Sequence, residues 1–96
     1  MTAPTRQRAF AHHLLVIDDK TDMLASLKSL LEIQGFRVTT ASATDKAIDE
    51  IKRGNFDLIL LDILMPQLSG HEVLRFVQEK RADIPVIVIS GDYSFS

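Results

Sequence analysis

Two short apolar runs that end in acid constrain this chain most. Leu14-Leu15-Val16-Ile17 leads straight into Asp18-Asp19, and Phe56-Asp57-Leu58-Ile59-Leu60-Leu61 leads into Asp62, with Met65-Pro66 close behind. Apolar runs of this length, bounded by polar and turn residues, suit strands covered on both faces, as in parallel sheets. The carboxylates then stand at strand carboxyl ends. In open parallel α/β sheets, ligands bind beyond those ends, in the crevice where the strand order reverses. Neighbouring strands lie ~4.8 Å apart, so adjacency of the two runs gathers three carboxylates in one small volume.

The rest of the chain alternates helix and strand. Met23, Leu24, Leu27, Leu30 and Leu31 recur at helical spacing, and Gly35 stands where a left-handed cap is expected, which predicts a first helix from about Asp22 to Gln34 with that stripe as core. Phe36, Val38 and Thr40 alternate with Arg37, Thr39 and Ala41, the period of a strand with one wetted side, so this strand belongs at a sheet edge. Ser42-Ala43-Thr44-Asp45 resembles a capping box and predicts a short second helix ending near Arg53. Ser69-Gly70-His71-Glu72 is a second capping box, opening a third helix that ends near Arg81. Ile84-Pro85-Val86-Ile87-Val88-Ile89 completes the pattern as a fourth strand, with its proline tolerable at the start.

Right-handed crossovers and an edge-like second strand favour a doubly wound parallel sheet of order 2-1-3-4, with the crevice above Asp18, Asp19 and Asp62. Ser90, just after strand four, flanks Asp62 from the other side. Two like charges ~5 Å apart at an effective dielectric near 20 repel by about 3 kcal/mol, a penalty that a divalent cation removes. An all-oxygen donor set suits Mg²⁺, which takes one or two carboxylates, keeps waters and accepts phosphate oxygens. A carboxylate beside such a metal can act as a nucleophile toward a phosphoryl group, and Asp62, with a long loop after it, is the best placed.

Composition narrows the classes further. A chain of 96 residues with 46% apolar content forms at most one domain. A net charge of −2 without a Lys/Arg cluster disfavours nucleic acid as a partner. With no cysteine there is neither a disulfide framework nor a thiolate metal site, which is compatible with the cytoplasm. The longest apolar stretch, Leu58 to Met65, is broken by Asp62 and too short to span a membrane. Residues 1–11 are polar, carry no secretory pattern and are expected to form a flexible arm ahead of a domain over 12–96.

Taken together, Asp18-Asp19 after the first strand, Asp62-Ile63-Leu64-Met65-Pro66 with Gly70 after the third, and Ser90-Gly91 after the fourth resemble the receiver domains of two-component response regulators. The resemblance runs from Leu14 to the end of the chain and implies the flavodoxin-like receiver fold. It implies that Asp62 takes phosphate from a histidine kinase or phosphotransfer protein, and that Asp19 binds Mg²⁺ directly and Asp18 through water. The backbone carbonyl of Leu64 is implied as a further ligand, and Ser90 as the hydroxyl that meets the phosphoryl oxygens and switches a surface. Such domains continue through another helix, a strand ending in a lysine, and a last helix, whereas no lysine follows Lys80 here. The expectation is therefore a truncated receiver of three helices: a fragment of a longer regulator, or a form completed by dimerisation through strand four. Two other functions compete with the phosphoacceptor. One is a non-phosphorylated interaction module. The other is a Mg²⁺-dependent phosphohydrolase, against which stands Leu64, where haloacid-dehalogenase-like enzymes carry a second acid. The expected protein is a signalling module and not an enzyme.

Overall fold

The computed structural model describes residues 12–62 and 69–89. The elements run β1 His13–Ile17, α1 Thr21–Ile33, β2 Arg37–Ala41, α2 Thr44–Arg53, β3 Leu58–Asp62, α3 Gly70–Lys80 and β4 Val86–Ile89. The four strands form one parallel sheet of order β2-β1-β3-β4, as the sequence predicts. The expected arm, Leu64 and Ser90 lie outside the described residues.

The chain leaves β1 first toward β2 and then, from β2, back across β1 to β3. Right-handed crossovers of opposite direction put α1 on one sheet face and α2 with α3 on the other. Two separate cores result. The larger joins Leu15, Ile17, Ile59 and Leu61 of the sheet to Ala47 and Ile51 of α2 and Val73 and Val77 of α3. The smaller packs Leu24 of α1, with Leu27 and Leu31 beside it, on Val16, Val38 and Leu60. Strand residues alternate between these cores because successive side chains point to opposite faces.

The α1 stripe is narrower than its spacing suggests. Leu24 is buried, but Met23 and Leu30, seven residues apart and so on a common flank, are exposed, as is Ile33 near the C-terminus of the helix. Among the described elements α1 alone covers this face, and no described helix packs against that flank. Gly35 has φ of +103°, as its predicted capping role requires, and its N–H donates to the Glu32 carbonyl.

The two capping boxes fare differently. Ser69 caps α3, its Oγ accepting the Glu72 N–H at 3.1 Å. The Ser42 box does not form: Ala43 is the residue before α2 and gives no side-chain cap, while the Thr44 hydroxyl accepts the Ser69 N–H at 2.9 Å. A local cap has thus been exchanged for a tie between the starts of α2 and α3.

Candidate functional site

The site begins with strand register. Ile17 pairs with Leu61, and one further step along both strands sets Asp18 beside Asp62. The Asp18 N–H continues the ladder, donating to the Ala41 carbonyl at 3.2 Å. By alternation, Asp18 and Asp62 share the α1 face with Val16 and Leu60. Each is only 6% exposed, and they are the buried charged side chains among the described residues. Asp19 is nearly as sheltered, with a side chain 10% exposed.

A short turn then places a cation among them. Asp18 Oδ1 accepts the Lys20 N–H at 3.0 Å, an Asx-type turn that redirects the chain from β1 into α1. The turn folds the Lys20 side chain back over the strand ends. Its Nζ lies 3.1 Å from Asp18 Oδ1, 3.4 Å from Asp62 Oδ2 and 3.8 Å from Asp19 Oδ1. The hydrogen bond to Asp18 is the main cause that raises the Lys20 pKa above its ordinary value, with Asp62 adding to it and desolvation opposing. By sequence, Lys20 reads as a phosphate neighbour or, more simply, a solvated loop charge, whereas the structure makes it a counter-cation of the cluster. The signal was the position of Lys20 two residues after an aspartate that ends a strand.

Beneath Nζ the wall turns apolar. A recess of about 140 Å³ is lined by Asp18, Lys20 and Asp62 on one side and by Met23, Leu27, Leu60 and Ile89 on the other. The site thus stands at the mouth of an apolar cleft between α1 and the sheet.

Three hard oxygen-bearing side chains, two of them buried, at one sheet end that already holds a positive charge are a donor set that suits Mg²⁺. Among the described residues, however, no three acidic or histidine side chains are drawn close enough to hold a metal as they stand. Asp18, Asp19 and Asp62 are brought together as predicted, but they are spaced around an ammonium. No helix among the described residues is long and apolar enough to cross a membrane.

The sequence profile of the response regulator receiver domain matches residues 14–95. The chain belongs to that family. Among curated relatives, a probable transcriptional regulator ycf27 of Cyanidium caldarium is 33% identical over 91 residues, covering 95% of this chain and 36% of the relative. The chain spans about a third of the length of the curated relatives it matches. Among solved structures, a CheY-like receiver domain protein of Methanospirillum hungatei superposes with a TM-score of 0.80 at 30% identity, over 88% of this chain and 68% of that one. The response regulator TrrA of Thermotoga maritima, solved with Mg²⁺-BeF, gives 0.78 at 33% identity over 85% and 71% of the two chains. TrrA in complex with the histidine kinase ThkA gives 0.76 at 32% identity over 88% and 75%. The receiver fold thus accounts for the sheet order, and the acid cluster lies in the crevice between β1 and β3 where that order reverses.

Proposed function

We propose that this receiver is a phosphoacceptor switch, with Asp62 as the acceptor and a histidine kinase or phosphotransfer protein as the donor. The observation that carries this reading is a buried carboxylate at the end of β3, set beside Asp18 and held under a cation at the mouth of the crevice. In the transfer, an Asp62 carboxylate oxygen forms a bond to phosphorus while the P–N bond of a donor phosphohistidine breaks, and the imidazole nitrogen leaves with its electron pair. Mg²⁺ would be held by Asp19 directly, by Asp18 through water, and by Asp62 and the Leu64 carbonyl. When bound it neutralises charge on the phosphoryl oxygens.

The chain's own residues do the rest. Asp18 and Asp19 fix the negative charge that draws the metal, and the β1–β3 register holds Asp62 within reach of both. Ser90 is proposed to receive a phosphoryl oxygen and pass the change to the surface beyond β4. Such a module works in the cytoplasm as a signalling element, without turnover of an external substrate.

The reading of TrrA with a kinase and with Mg²⁺-BeF supports this assignment by family. Intact-mass spectrometry after incubation with acetyl phosphate and Mg²⁺ tests it. A gain of one phosphoryl mass in the parent and none in Asp62→Asn is expected. No gain in the parent would favour a purely interacting module, and equal gains in both would move the acceptor elsewhere.

A further inference from the structure

We propose that Lys20 is a built-in competitor for the metal, an ammonium that occupies the centre of the carboxylate cluster and must swing out before Mg²⁺ can enter. The proposal rests on the reading of this cluster as a Mg²⁺ site and adds to it a residue that sets the affinity of that site.

The geometry makes the two cations mutually exclusive. Nζ stands 3.1 Å from Asp18 Oδ1, 3.4 Å from Asp62 Oδ2 and 3.8 Å from Asp19 Oδ1, so the carboxylates of all three aspartates face one point. Mg²⁺ would be held by the same carboxylates, Asp19 and Asp62 directly and Asp18 through water, and an ammonium lodged among them would repel it and compete for their oxygens.

The side chain is also free to leave. It is 49% exposed, and the turn that anchors residue 20 uses its backbone N–H on Asp18, not its side chain. A long flexible stem on a fixed backbone can exchange the cluster for water without disturbing β1 or α1. Resting repulsion is thereby relieved without metal, and metal binding is weakened by the exchange. The sheltered Asp18 and Asp62 give the ammonium a hold that an exposed pair lacks.

Isothermal titration calorimetry with MgCl₂ on the full chain tests this, using Lys20→Met, Lys20→Arg and, as a control for net charge, Lys46→Met on the exposed side of α2. Lys20→Met should bind Mg²⁺ more tightly, by about three- to tenfold given the usual strength of such pairs. Lys46→Met should match the parent, and Lys20→Arg should stay near it or bind more weakly. Thermal melting supplies a second readout: Lys20→Met should melt lower than the parent without metal and gain more from its addition. Unchanged or weaker Mg²⁺ binding in Lys20→Met overturns the competitor role. Binding that survives Asp19→Asn unaltered in the parent background would instead show that the metal sits elsewhere, and the underlying site reading would fall.

Discussion

At the level of single residues, the end of the sheet remote from the acid cluster carries its own titration. His13 opens β1, with its Nε2 2.8 Å from Thr39 Oγ1 and its ring 4.6 Å from the Phe56 ring. Partial burial lowers its pKa below the ordinary 6.5, and the Arg37 charge lowers it further, while Asp57, the Asn55 backbone and Glu50 oppose in part. The folded chain therefore prefers neutral His13, and the unfolded chain takes up the proton first as pH falls. Stability should decline as pH drops from about 6.5 toward the lowered folded value, and this contribution should level off below that. Urea midpoints measured at about pH 7.5 and about pH 5.5 should fall for the parent and fall less for His13→Gln. An equal fall in both would remove His13 as the cause. The acid cluster was legible because strand-end aspartates announce themselves in sequence, and adjacency of β1 and β3 did the rest. Lys20 was not, because a turn that folds a side chain back is set by one backbone hydrogen bond, on which periodicity is silent.

Among the elements, the tie between α2 and α3 decides how firmly the larger core is closed. Arg81, just past α3, donates from one guanidinium nitrogen to the Ile51 carbonyl at 3.0 Å and the Gly54 carbonyl at 3.2 Å. These are carbonyls at the end of α2, where the last turn lacks intrahelical donors and a positive charge is favoured. Asp83 holds the same guanidinium, accepting from its Nε at 3.2 Å. Gly54 belongs to this joint, since a Cβ there would stand 2.5 Å from the Phe56 ring and 2.9 Å from the Glu50 carbonyl. Arg81→Met keeps the stem and removes the donors, and should destabilise the fold by about 1–3 kcal/mol, read as a lower urea midpoint with an unchanged slope. A midpoint equal to the parent's would reduce the contact to a surface ornament. Element order and type were legible from the 2.0 and 3.6 periods, but boundaries were less so. Strand three was expected from Phe56 and strand four from Ile84, yet β3 starts at Leu58 and β4 at Val86. Phe56 and Ile84 are buried all the same, as plugs at the strand entrances, so their apolar character reports burial and not pairing.

At the scale of the whole molecule, the two edges of the sheet differ among the described strands. β2 is edged by polar residues: Arg37 is exposed, and Thr39 and Thr40 are only partly buried. β4 is the opposite edge among the described strands, and its apolar sequence is that of a central strand. Ile87, on the α1 face beside Leu60, is 50% exposed, and Val88, on the other face beside Leu61, is 43% exposed. Apolar side chains bare on both faces of a strand with one neighbour among the described strands make a template for another strand. This chain covers 68–75% of the Methanospirillum hungatei and TrrA receiver chains to which it is similar. In isolation this chain should therefore associate as its concentration rises, through β4. Size-exclusion chromatography with light scattering should show mass growing with loading for the parent and staying at one chain for Val88→Lys. Lysine at that place sets like charges against each other in any symmetric pairing, while its stem still covers Leu61. A parent that remains a single chain at every loading would mean that the open edge is masked from within, and the association would have to be abandoned.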